Sequence, residues 1–100
     1  YLELFASVDT IAEQIRALDS YAPGSFSRFQ ELSDIEDELT VPNGIEMATK
    51  LLEDNEVVMA SLSMTLQLAT ELDKQGLINF LANRIDIHST HRWMLRSIIK

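Results

Sequence analysis

The chain contains no cysteine. Disulfides and thiolate metal sites are therefore excluded, and the composition suits a reducing compartment. Glycine (3) and proline (2) are scarce among the 100 residues, which leaves little material for a Gly-rich phosphate loop or for many short strands and turns. No Gly-x-Ser-x-Gly motif occurs, so the nucleophile elbow of α/β-hydrolases is absent. Apolar runs stay far shorter than a membrane span, and no secretory signal pattern opens the chain. Basic residues are also few: 8 Lys and Arg stand against 16 Asp and Glu, a formal charge of −8. The excess is uneven. Residues 1–40 carry nine acids and two bases, residues 41–100 seven acids and six bases. This balance disfavours nucleic-acid binding by phosphate neutralisation, whereas an acidic surface suits cations.

What is present is helix-forming sequence. Apolar residues make up 46% of the chain, and most recur at helical spacing, which predicts an all-α fold of one domain's size with a small core. A first helix is expected from Leu2 to Asp19 or Ser20, with Leu4, Val8, Ile11, Ile15 and Leu18 as a packed stripe. Tyr1 already lies inside this pattern with no cap ahead of it, so the chain is expected to begin part-way through a longer protein. Tyr21-Ala22-Pro23-Gly24-Ser25 ends the helix. A connector over 26–40 is expected to hold a short helix, with Ser27 and Gln30 as capping box. Its Phe26, Phe29, Leu32 and Ile35 are expected to lie against the bundle.

Asn43 and Glu46 cap a second long helix over Gly44–Asp73. Ala48, Leu51, Leu52, Val58, Met59, Leu62, Leu66, Ala69 and Leu72 run along it near a seven-residue repeat. Asn55 interrupts this stripe and needs a polar partner if buried. Met47, Met59 and Met64 read as core fillers. Gly76 is the expected helix stop. A third long helix follows over Leu77–Ile99, with Leu77, Leu81, Ile85, His88, Leu95 and Ile99 in register. A short corner forces the last two helices antiparallel. Three long helices do not close a four-helix bundle, so a fourth is expected from a missing segment or another chain.

Two constellations could carry chemistry. Asp9 and Glu13 stand one turn apart on one helix face. Such a pair is usually a solvated face, but two hard oxygen ligands so placed can also grip a metal ion. Arg16, three residues after Glu13, could pair with it. His88 and His91 have chelating i, i+3 spacing, yet His88 falls in the apolar stripe and reads better as a hydrogen-bonded core histidine, with His91 exposed. The Glu-x-x-His motif of di-iron sites inside one bundle is absent: Ile85 stands three before His88, and His88 three before His91. Any site at Asp9 and Glu13 therefore needs ligands from elsewhere. Trp93 reads as a packing or subunit-interface residue.

Several stretches together resemble the Dps family, the ferritin-like DNA-binding proteins from starved cells. They are the run Asp9-Thr10-Ile11-Ala12-Glu13-Gln14-Ile15-Arg16-Ala17-Leu18, then Ala22-Pro23-Gly24-Ser25 and Phe29. Leu51-Leu52-Glu53-Asp54-Asn55-Glu56, Arg84-Ile85-Asp86-Ile87-His88 and Trp93-Met94-Leu95-Arg96-Ser97 follow in the family's order. The resemblance covers essentially the whole chain. It implies residues 1–100 are the C-terminal two-thirds of one ferritin-like four-helix bundle, lacking the first helix and the start of the second. Three long helices and the short connector helix remain.

The resemblance further implies a mini-ferritin subunit that oxidises Fe(II) with hydrogen peroxide or oxygen and stores ferric iron. The implied setting is a dodecameric homo-oligomer in the cytoplasm or bacterial nucleoid. Its ferroxidase site lies between subunits, with Asp9 and Glu13 matching the ligands from this stretch. His and Asp from upstream in a partner subunit complete it. Asp73 and Asp86 match the acids of the pores on the three-fold axes, although Asn79 stands where many relatives have Asp and Lys74 adds a positive charge. DNA binding in the family often depends on basic tails, and the charge of this chain opposes it. The competing readings are a helical assembly module without ferroxidase activity and a DNA-condensing protein.

Overall fold

A computed structural model describes all 100 residues. Four helices form in chain order and no strand: α1 Leu2–Ala17, α2 Phe26–Leu32, α3 Gly44–Glu71 and α4 Gln75–Ile99. The all-α expectation, three long helices plus a short one in the connector, is met. No helix is long and apolar enough to cross a membrane. The chain divides into two compact units, residues 1–33 and residues 34–100.

In the first unit, α1 ends in a Schellman motif. The Ser20 amide donates to the Ile15 carbonyl and the Asp19 amide to that of Arg16. Asp19 takes the left-handed conformation this closure needs, φ 62°. The expected apolar stripe is largely uncovered. Leu4, Val8, Ile11 and Leu18 are exposed, Ile15 is half-buried, and the one fully buried residue of α1 is Ser7. The Ser7 hydroxyl donates to the Leu4 carbonyl at 2.6 Å.

The α2 N-cap is Ser25, not Ser27. Ser25 has extended backbone, and its hydroxyl accepts the Arg28 amide at 3.2 Å. Of the connector's apolar residues expected to pack, only Ile35 is half-buried; the other three are not packed away. Phe26, Phe29 and Leu32 are exposed, and the two rings meet each other edge to face at 6.1 Å.

The second unit is a helical hairpin. Asn43 caps α3 as expected: its Oδ1 accepts the Glu46 amide at 2.9 Å, and its Nδ2 donates to the Glu46 carboxylate at 2.7 Å. The stop is at Asp73, not Gly76. Asp73 adopts φ 55°, the Lys74 amide closes on the Ala69 carbonyl and the Asp73 amide on that of Thr70. Gly76 instead falls inside the first turn of α4.

With only this corner between them, α3 and α4 pack against each other along their lengths. Ala48, Asn55 and Ala69 are buried on α3, with Leu52, Val58, Met59, Leu62 and Leu66 half-buried beside them. From α4, Leu81, Arg84 and His88 are buried, with Leu77, Ile85, Leu95 and Ile99 half-buried. The seven-residue seam is thus real, except that Leu51 and Leu72 are exposed. Of the three α3 methionines only Met59 enters the core; Met47 and Met64 are exposed.

Candidate metal centre

The helical period sets the geometry of Asp9 and Glu13. Both lie within α1, one turn apart, and both are exposed. Neither carboxylate is engaged by a base of the chain. The expected Arg16–Glu13 pair does not form. Arg16 Nη1 donates instead to the Ser20 carbonyl at 3.0 Å, and the guanidinium lies 4.6 Å over the Tyr21 ring. Arg16 therefore closes the end of its own helix and leaves the acid pair without a neutralising partner. A cation near the pair would gain two hard, negatively charged oxygen donors with little to displace.

The pair is not a complete site. No group of three or more His, Cys, Asp or Glu in the chain is arranged to hold a metal ion.

Asp73 and Asp86 are both exposed, but they are not brought together. Asp73 forms the α3–α4 corner, while Asp86 sits eleven residues beyond the first residue of α4, roughly 17 Å along the axis. Asn79, between them, accepts from Gln75 at 3.3 Å.

The structure does join residues that sequence spacing only half announced. His88 is buried as expected, and Asn55 supplies the polar partner that both needed, with His88 Nδ1 and Asn55 Oδ1 2.9 Å apart. Arg84 was not anticipated as a core residue. It is buried beside His88, Nη2 to Nε2 2.8 Å. The available signal was its i, i+4 spacing to His88. His91 is half-buried rather than exposed, because its ring meets that of His88 edge to face at 5.2 Å.

Comparison with known proteins accords with this architecture. A family model described as a ferritin-like domain matches residues 1–100. A low temperature-induced protein of Nostoc sp. (strain PCC 7120) is 31% identical over the whole chain, which spans 57% of that relative. Among solved structures, the Dps protein from Vibrio cholerae O1 superposes with TM-score 0.95 at 23% identity. Its description places it in a broad superfamily of ferritin-like diiron-carboxylate proteins; the chain is fully covered and spans 63% of it. Antigen TpF1 from Treponema pallidum superposes equally well, TM-score 0.95 at 25% identity, with this whole chain matching 65% of it. Dps from Thermosynechococcus elongatus gives TM-score 0.93 at 19% identity, over 98% of this chain and 62% of that one. The four helices thus have the fold of Dps proteins, and the chain belongs to the ferritin-like domain family.

Proposed function

We propose that these residues form the larger part of a mini-ferritin subunit that oxidises Fe(II) and stores the ferric product. Asp9 and Glu13 are the ligands this chain contributes. The observation that carries the reading is the pair itself: two exposed carboxylates one helical turn apart, left free by Arg16. Oxygen donors suit both oxidation states of iron and favour the harder ferric product. Fe(II) is the substrate, and the oxidant is hydrogen peroxide or oxygen. With peroxide, two Fe(II) each give one electron, and the peroxide takes both with two protons and leaves as two waters. The chain's own part is to hold the metal, since no general acid or base stands beside the pair.

Two carboxylates do not saturate an iron site, so the remaining ligands are assigned to a second copy, at an interface between subunits of a homo-oligomeric shell. A dodecamer is the assembly that the Dps-like fold suggests. Within such a shell Asp73 and Asp86 belong to acidic passages that draw cations inward. With Asp73 at the α3–α4 corner and Asp86 well along α4, our reading puts them at two levels of a passage rather than in one ring.

The test is iron oxidation by the protein with and without Asp9→Ala/Glu13→Ala, followed by ferric absorbance after Fe(II) and peroxide are mixed. The expected result is loss of the fast phase with assembly retained. Equal rates in the two proteins would remove Asp9 and Glu13 from the site.

A second reading rests on the missing third donor: a ferritin-like assembly module without ferroxidase activity. It predicts the same oligomer for both proteins and no iron oxidation above the protein-free rate. DNA condensation is the weakest reading, since a charge of −8 opposes binding to phosphates.

A further inference from the structure

Asn43 and Gly44 set an electrophile and a nucleophile side by side in the chain. The Asn43 side-chain carbonyl carbon, Cγ, and the Gly44 amide nitrogen can close a cyclic imide, and glycine has no side chain to obstruct the closure. Three further asparagines, Asn55, Asn79 and Asn83, carry the same electrophile. They are followed by Glu56, Phe80 and Arg84, whose amides lie inside α3 or α4 and are committed to the helical ladder. Gly44 is the first residue of α3, so its amide has no acceptor within the helix. A Cβ at Gly44 would meet no atom within 4 Å, and both residues are exposed, so water reaches the pair.

The bonds of the cap hold the two groups apart. Asn43 Oδ1 accepts the Glu46 amide at 2.9 Å, and Nδ2 donates to the Glu46 carboxylate at 2.7 Å. The Asn43 backbone carbonyl accepts the Met47 amide at 2.8 Å. Ring closure needs the Gly44 nitrogen to swing until it nearly eclipses Cβ of Asn43. At ψ 173° that nitrogen lies opposite the Asn43 nitrogen and is staggered to Cβ. Rotating it into place turns the carbonyl away from Met47 and draws the side chain off Glu46. The first turn of α3 must therefore open before the ring can form.

The geometry points to Asn43–Gly44 as a self-modification site gated by the α3 cap, where each opening of the first turn exposes Asn43 to conversion into aspartate or isoaspartate. The Gly44 nitrogen loses its hydrogen to water and bonds to Cγ. The Cγ–Nδ2 bond breaks, and Nδ2 takes up a proton and leaves as ammonia. Water then opens the imide. Cleavage of the bond from nitrogen to Cγ gives aspartate, and cleavage of the bond to the main-chain carbon gives isoaspartate. Both products lose the Nδ2 donor. Aspartate keeps an acceptor for the Glu46 amide but sets a second carboxylate against that of Glu46. Isoaspartate adds a methylene to the backbone and moves the carbonyl that the Met47 amide uses. Either way the first turn of α3 is looser after the reaction. The site is independent of the iron-oxidising reading.

The test ages the full chain in neutral buffer and locates the change by proteolysis and peptide mass spectrometry, with electron-transfer fragmentation to separate aspartate from isoaspartate. Asn43 is expected to convert while Asn55, Asn79 and Asn83 stay intact. The same chain unfolded in urea is expected to convert at Asn43 about five-fold faster, the factor that matches the ordinary strength of an asparagine N-cap. Gly44→Ala keeps the capping side chain and has room for its methyl group; it is expected to convert more slowly than the wild type. In the aged protein, amide exchange at Glu46 and Met47 is expected to quicken, with α4 unchanged.

Conversion of Asn55, Asn79 or Asn83 ahead of Asn43 would overturn the proposal. So would a folded chain that keeps Asn43 intact while the unfolded chain converts it. Equal rates in the folded and unfolded chains would remove the gate. A Gly44→Ala chain that converts as fast as the wild type would remove the Gly44 amide as the attacking group. Unchanged exchange at Glu46 and Met47 in the converted protein would show that the first turn does not depend on the Asn43 amide.

Discussion

Helix α1 and the α3–α4 hairpin are built from similar apolar patterns, yet they use them differently. In α1 the stripe Leu4, Val8, Ile11 and Leu18 is exposed and a single serine is buried. In the hairpin, the same kind of stripe finds its partner across a short corner, and the buried set includes an arginine, a histidine and an asparagine bonded to one another. The element carrying the proposed metal ligands is thus the one with little of its own burial, while the element with the most ordered interior carries no proposed ligand. An amphipathic pattern prepares a face, but burial requires something opposite it. A ligand pair meant to be shared with another subunit is expected on a face that its own chain leaves open.

Core truncation should show this contrast most strongly. Leu81→Ala, at a residue buried in the hairpin, is expected to cost about 3 kcal/mol. Val8→Ala, on the exposed stripe of α1, is expected to cost less than about 1 kcal/mol in the unassembled chain. Urea unfolding of both variants checks the difference. If assembly covers α1, the Val8→Ala penalty should grow with protein concentration, and a constant small penalty would show that the face stays open.

Next in size is the cap of α3. Asn43→Ala removes the acceptor of the Glu46 amide and is expected to destabilise by about 1 kcal/mol. Amide exchange should report it as fraying confined to the first turn of α3.

Both units end a long helix on an aspartate in the left-handed region, Asp19 and Asp73. Removing the Cβ there relieves strain, so Asp19→Gly and Asp73→Gly are each expected to stabilise by roughly 0.5 kcal/mol, offset in part by the greater freedom of glycine when unfolded. A larger gain at Asp73 would mean that the hairpin depends on its corner more than α1 depends on its end. Thermal unfolding of the two variants side by side measures this.

The smallest effect lies in the segment before α3. The Thr40 hydroxyl and amide donate to Glu38 and hold its carboxyl below its ordinary value of 4.5. A depressed carboxyl stabilises the fold above its unfolded value and loses that contribution as pH falls through its lower folded value. The Thr40 amide signal should therefore shift below about pH 4.5, and Thr40→Ala should return Glu38 toward its ordinary titration without altering α3 or α4.

Much of the fold was legible before the structure. The helical period placed three long helices and the short one, because long amphipathic segments are a strong signal. Asn43 read as a cap because its side chain and Glu46 act within one turn. The errors share a cause. Ser25 and Ser27 offer the same hydroxyl two residues apart, and only the backbone path selects one. Asp73 rather than Gly76 closes α3, since aspartate also tolerates the left-handed conformation. The methionines Met47 and Met64 looked like core residues because period alone does not say which of two adjacent apolar faces is covered.

The candidate site was legible to the extent that it is local. The spacing of Asp9 and Glu13 follows from the helix, whereas the fate of Arg16 was decided by Ser20 and Tyr21 beyond the helix end.

The sequence by itself determined the all-α class, the helix set, the acid pair on one face of α1 and the lack of an internal di-iron motif. These depend on neighbours within one or two turns. Only the tertiary structure decided that Arg84 is buried beside His88 and that Asn55 is the partner of the His88 ring. Asn55 and His88 lie 33 positions apart in the chain. Which polar group meets which across that distance is set when two helices dock, and no local pattern contains it.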